Sequence, residues 1–201
     1  MISAQHSWFY TNFYRLYSNW IIKRNFSHIN IDIPEVDKSK PLLVIGNHHS
    51  WWDGFWVMHL NNSFWKKRFF VMMLLEQLQK HPSFSRIGAF SVEQGKRSVL
   101  ETMEYAIQIL QSPDNVLLMY PQGRIESQHQ NYIHFQKGAV RLIERADNVN
   151  VLMLVTLTDY LSKKKNGLWV YGKLLRHKTD IESYFNEFYL QAKKIQQQCI
   201  G

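Results

Sequence analysis

Cysteine is almost absent from this chain: Cys199, close to the last residue, is the only one among 201. No disulfide can form within the chain, and a cysteine-rich zinc site is excluded. A thiol at that position is also a poor nucleophile candidate, since nothing around it in sequence suggests a cleft. Long hydrophobic runs are missing too, and no uncharged apolar stretch is long enough to cross a bilayer. The first basic residue is Arg15, and polar residues interrupt what precedes it, so a cleavable signal peptide is not expected. Internal repeats, low-complexity tracts and a convincing domain boundary are likewise lacking. Acidic residues are scarce relative to basic ones, 16 against 24, which gives a formal net charge of +8. Such an excess attracts polyanions, leaving nucleic acid, anionic lipid and phosphorylated small molecules as classes of partner, or it merely aids solubility.

What is present is aromatic: 14% of the residues, including seven Trp and ten Tyr, alongside 45% hydrophobic residues. A folded core is expected, with aromatic side chains to spare for an interface where one end is apolar and the other wet. From Ser7 to Arg24 the spacing predicts a helix. Phe9, Phe13, Leu16, Tyr17, Trp20 and Ile21 share one face, and Asn12, Arg15, Asn19 and Lys23 lie opposite. That stripe suits either a membrane interface or packing on the same domain.

Beyond it, strands are expected at 27–33, 41–46, 68–73, 90–93, 116–119, 149–157 and 168–172. Helices are expected at 51–60, 74–80, 97–111, 136–146 and 180–198. Lys163 to Gly167 reads as a charged hairpin turn. Alternating strands and helices predict a single α/β domain, with a mixed, mostly parallel sheet flanked by helices and an N-terminal helical extension.

Asn47-His48-His49-Ser50-Trp51-Trp52-Asp53 follows an apolar strand, so it occupies a loop at a strand's carboxyl end, where such sheets place ligands. A histidine acting as a base needs a carboxylate to fix its tautomer and to stabilise the imidazolium, and the spacing lets His48 fold back onto Asp53. By spacing alone, His49 and Asp53 could instead be an ordinary helical pair. A metal reading would use His48, His49, Asp53 and His59.

The segment Asn-His-x-Ser-x-x-Asp resembles the signature of the 1-acylglycerol-phosphate and lysophospholipid acyltransferase family. Three more segments follow in that family's order. Gly88-Ala89-Phe90-Ser91-Val92-Glu93-Gln94 is similar to the second block, and Tyr120-Pro121-Gln122-Gly123-Arg124 to the third. Phe135-Gln136-Lys137-Gly138-Ala139, with the strand at 151–155, matches the last. The likeness spans residues 40–160 and implies residues 35–201 as the acyltransferase domain, preceded by an interfacial helix and strand at 1–34. It further implies an O-acyltransferase in which His48 and Asp53 form the catalytic pair, with no metal, no cofactor and no covalent acyl-enzyme. The donor would be an acyl thioester of coenzyme A or acyl-carrier protein. The acceptor would be a lysolipid such as lysophosphatidic acid, met on the cytoplasmic face of an anionic membrane by a peripheral or monotopic protein. Nucleic acid is not expected as a partner, since no motif supports it.

Substrate contacts are expected from Asn47, Ser50, Gln94, Lys96, Arg97, Gln122, Gly123 and Arg124. Two of these depart from the family: Gln94 stands where arginine is usual, and Gln122 where glutamate is usual. An amide cannot reproduce the bidentate, charged contact of guanidinium with phosphate. Lys96, Arg97 or Arg124 would have to replace it, or the acceptor is a phosphate-free lysolipid such as an acylated amino acid. An inactive lipid-binding relative is a further alternative, against which the retention of both His48 and Asp53 argues. Lys66-Lys67-Arg68 reads as a solvated loop or as a contact for lipid or carrier phosphates. Trp51, Trp52 and Trp56 read as core or as lining for an acyl channel.

Overall fold

The computed structural model describes residues 1–93, 98–160 and 164–200. Among these residues seven strands form one sheet in the order β1-β7-β6-β2-β5-β3-β4. They are β1 (Phe26–Asp32), β2 (Leu42–Gly46), β3 (Arg68–Leu74), β4 (Ala89–Val92), β5 (Asn115–Met119), β6 (Asn150–Asp159) and β7 (Asn166–Leu174). Every pairing is parallel except β6 with β7. That pair is the hairpin expected from the Lys163–Gly167 signal, although Lys163 itself lies outside the described residues.

The helices are α1 (Trp8–Asn25), α2 (Asp53–Leu60), α3 (Leu75–Lys80), α4 (Ser98–Ile109), α5 (Lys137–Arg145) and α6 (Ile181–Ile200). Period-two alternation along the central strands divides the core between the two faces of the sheet. Leu43, Ile45, Leu117 and Met119 pack with Ala106 of α4, Leu142 of α5 and Phe185 of α6. Leu42, Val44, Val116 and Leu118 pack with Ile22 of α1 and Trp56 and Leu60 of α2. With both faces covered, β2 is buried throughout, which is why it reads in sequence as an unbroken apolar run.

Two short turns lacked a sequence signal. Asn61–Trp65 widens the end of α2 into a π-helical turn, and Pro82–Arg86 forms a 3₁₀ turn. The outer edge at β4 is covered by the N-terminal residues. Ser91 donates its N–H to Ile2 O, Gly88 donates to Gln5 O, and His6 bridges to Ile87. Covering an edge in this way removes a site for pairing with another chain. Gly88 has φ +101, and a Cβ there would lie 1.9 Å from Phe69 O, so only glycine fits.

The basic run at 66–68 lies at the far end of the strands from the His48 loop. Lys66, Lys67 and Arg68 lie at the amino end of β3, and β2 runs parallel within the same sheet, so they sit at the opposite edge from the His48 loop. There the Lys67 ammonium caps the carbonyls of Lys38 and Pro113, and Arg68 Nε donates to His6. Lys67 and Arg68 thus tie loops together.

Candidate active site

The chain leaves β2 towards β3 on one side and leaves β5 towards β6 on the other, so the carboxyl ends of β2 and β5 flank a switch point in the sheet. Open α/β sheets bind ligands in the crevice at such a point. Here the crevice receives the loop 47–52 after β2 and the loop 120–136 after β5.

In the first loop, Asp53 begins α2 and is almost fully buried. Its Oδ2 accepts three N–H bonds, from the His49 backbone at 2.8 Å, the Ser50 backbone at 3.0 Å and His48 Nδ1 at 2.9 Å. A buried carboxylate is costly unless hydrogen-bonded, and these donors, with the helix N-terminus, offset that cost. Since a carboxylate only accepts, Nδ1 of His48 is the donor, which in the neutral ring leaves the lone pair on Nε2. The ring of His48 stacks on Tyr120 with centroids 4.1 Å apart and planes 11° apart. Gly46 makes room for that stack, since a Cβ there would come within 3.1 Å of the Tyr120 ring. The Tyr120 hydroxyl is buried without a hydrogen-bond partner, and burial, with the Asp53 charge nearby, pushes its pKa well above the usual value.

His49 is turned the other way. It lies 5.6 Å from Trp56 in the core, with Nδ1 3.2 Å from the Asn47 amide and 3.7 Å from Asp53 Oδ1. Burial lowers its pKa despite the carboxylate, so it is neutral near pH 7. His59 bonds Asn19 of α1, away from both. His59 therefore does not join His48, His49 and Asp53. Among the described residues no cluster of His, Cys, Asp and Glu could hold a metal ion.

Not every expected contact residue faces the crevice. Asn47 is buried and clamps β6, donating to Thr156 O and accepting from Thr156 N. The Ser50 hydroxyl accepts the N–H of Trp52 inside the turn. Gln122 is 4% exposed; its Oε1 takes the His48 N–H at 2.6 Å and its Nε2 donates to Glu126 at 2.9 Å. Both ends of that amide are occupied within the loops, and Gln122 holds the His48 N–H. Gly123, at φ +70, and Arg124 do line the crevice. Gln94, Lys96 and Arg97 lie outside the described residues.

The crevice opens into a cavity of about 820 Å³ with His48 in its wall. Its lining is mostly apolar, including Met58, Met72, Met73, Met103 and Met119, flexible side chains that adapt to a chain of methylenes. Trp51 lines it at 43% exposure, whereas Trp56 is core and Trp52 packs against core. Sequence reasoning missed Tyr120 as the stacking partner of His48 and missed Glu126. Glu126 joins its near neighbours Gln122 and Arg124 to the distant His48 carbonyl, and only that last contact is invisible in sequence.

A protein-family model described as Acyltransferase matches residues 19–157, well over half of the chain. The chain belongs to the acyltransferase family. Among solved structures it is similar to the crystal structure of the 1-acyl-sn-glycerophosphate (LPA) acyltransferase PlsC from Thermotoga maritima. That likeness has a TM-score of 0.61 at 14% identity and covers 92% of this chain and 79% of that one. The mixed α/β sheet is therefore the fold of that enzyme. No curated protein sequence matches the chain significantly.

Proposed function

We propose that this protein transfers a fatty acyl group from an acyl thioester of coenzyme A or acyl-carrier protein to the hydroxyl of a lysolipid. The observation that carries the reading is the placement of His48, tied through Nδ1 to Asp53 and set in the wall of an apolar cavity of about 820 Å³. Nε2 takes the proton of the acceptor hydroxyl as its oxygen attacks the thioester carbonyl. Collapse of the tetrahedral intermediate breaks the C–S bond, and the thiolate leaves with the proton returned from the imidazolium. Such base assistance is typically worth about 10²–10⁴-fold, the rest coming from positioning and from charge stabilisation. Tyr120 and Asp53 both favour the imidazolium, one through its ring face and one through its charge.

Arg124, 76% exposed at the rim of the cavity, favours an anionic acceptor such as lysophosphatidic acid, the substrate class of the Thermotoga enzyme. The phosphate-free alternative depends on an amide pair, and Gln122 does not contribute to one. The route for such a lipid is the bilayer itself. Trp8, Phe9, Phe13, Leu16 and Trp20 all point outward from α1 at more than 50% exposure, while Tyr10, Tyr14 and Ile22 face the domain. Arg15, Lys23 and Arg24 are exposed on the same helix, and Arg24 lies over the Trp20 ring. Aromatic and basic side chains together fit an anionic membrane surface. No helix among the described residues is long and apolar enough to cross it.

The test is direct. Purified protein is incubated with palmitoyl-coenzyme A or palmitoyl-carrier protein and lysophosphatidic acid in anionic vesicles. A diacyl product with release of free thiol supports the reading. Release of thiol with fatty acid as the sole product, or no reaction with either donor, would overturn it.

A further inference from the structure

The two loops of the site hold one another through a short relay that the reaction steps above do not use. His48 donates its N–H to Gln122 Oε1, and Glu126 donates its N–H to His48 O at 2.9 Å, so both peptide groups flanking the base are gripped by the second loop. An amide side chain has one accepting end and one donating end. With Oε1 on the His48 N–H, the Nε2 end of Gln122 must find an acceptor, and it finds Glu126 Oε2 at 2.9 Å. The other oxygen of that carboxylate takes Arg124 Nε at 2.7 Å, which leaves the two Nη groups for an anion at the rim. The Glu126 side chain is only 10% exposed. Burial alone would raise its pKa, but the bonds from Gln122 and Arg124 hold it below the usual carboxylate value. An ordinary exposed ion pair would contribute little. This one differs because its carboxylate also satisfies a buried amide, and that amide holds the base.

We propose that Glu126 is a positioning residue for acyl transfer: it locks the Gln122 amide in the orientation that grips His48 and anchors Arg124 at the cavity rim. The proposal rests on the acyltransferase reading above.

The test is a charge swap at positions that keep their size. Gln122→Glu preserves the acceptor for the His48 N–H but sets a second carboxylate against Glu126, and like charges at that distance cannot both stay ionised cheaply. At pH 8 the transfer rate from palmitoyl-coenzyme A to lysophosphatidic acid should fall about tenfold or more. The deficit should shrink as pH falls towards 5, where the carboxylate pair can share a proton. The double variant Gln122→Glu/Glu126→Gln should recover the rate at pH 8. In it the amide nitrogen at position 126 donates to the carboxylate at position 122, while the amide oxygen accepts from Arg124. Thermal midpoints measured alongside should drop by several degrees in the single variant and return in the swap. A space-filling role predicts no change in Gln122→Glu, and an undiminished rate there at pH 8, or a swap no better than the single variant, overturns the proposal. If the unaltered protein transfers nothing from either donor, the acyltransferase reading falls instead. The midpoints then decide the pairing by themselves: a restored midpoint supports it and an unrestored one overturns it.

Discussion

The His48 loop and the outer face of α1 are opposite kinds of surface. In the loop, Oδ2 of Asp53, the His48 peptide groups and both ends of Gln122 are engaged by partners in the same chain. On α1, Trp8 at 81% and Phe9 at 66% exposure have little of the chain to pack on. Preorganised donors and acceptors need no rearrangement when a reaction develops charge, which is what a catalytic constellation requires. An exposed row of large apolar side chains reads the other way, as a surface completed by something outside the molecule. Under the proposed function, the first region serves the chemistry and the second meets a membrane.

Asp53→Asn keeps the shape of the loop but removes the charge that favours the imidazolium. Turnover should fall on the order of 10²-fold or more, with less effect on KM. The thermal midpoint should also fall, since an amide oriented to accept the two backbone N–H groups binds them less strongly than a carboxylate. Turnover close to that of the unaltered protein would show that His48 does not depend on its carboxylate. Next comes Arg124→Gln, which should raise KM for lysophosphatidic acid about tenfold while leaving KM for monoacylglycerol unchanged. Equal losses on both acceptors would remove Arg124 from headgroup recognition.

On the α1 side, Trp8→Ser, Phe13→Ser and Trp20→Ser together should weaken co-sedimentation with anionic vesicles about a hundredfold, since each large side chain is worth on the order of 1 kcal/mol or more when buried. The thermal midpoint should stay put, because these side chains face away from the core. Added salt should weaken binding of the unaltered protein further, through Arg15, Lys23 and Arg24. A lowered midpoint with unchanged sedimentation would place this face inside the fold.

The smallest effect concerns His49. Burial lowers its pKa in the folded state, so between that value and the unfolded value near 6.5 the unfolded chain binds more protons. Stability contributed by neutral His49 is therefore present above pH 6.5 and is lost as pH falls below it. His49→Leu should flatten that part of the stability profile, measured by denaturant titration between about pH 7 and 5. An unchanged slope would assign the loss to another group.

Much of this is legible from residue patterns, for reasons that differ along the chain. β2 and β5 are central strands whose buried runs cannot be mistaken for a surface helix, and α4 and α6 are long enough for their period to show. The His48–Asp53 pairing is readable because both residues lie within one loop and one helical turn. Gln122 reads in sequence as a substrate contact because its two partners, His48 and Glu126, are fixed by tertiary structure, one of them 74 residues away. For α1, the aromatic stripe is visible, but which side meets the domain is decided by Tyr14 stacking on Phe55 and meeting Phe84 edge-on. The π-helical turn at 61–65 has no signal, since it is held by the Asn61 amide bonding both backbone polar groups of Lys67.

The central claim is that one of two adjacent histidines is the base and the other belongs to the core. Transfer to lysophosphatidic acid, measured for His48→Ala and His49→Leu beside their thermal midpoints, tests it most directly. His48→Ala should lose transfer by about 10²–10⁴-fold with its midpoint nearly kept, as expected for a lost general base. His49→Leu should retain transfer within a few-fold, as expected for a side chain outside the reacting groups. Full activity in His48→Ala, or an equal loss in His49→Leu with the fold intact, would contradict it.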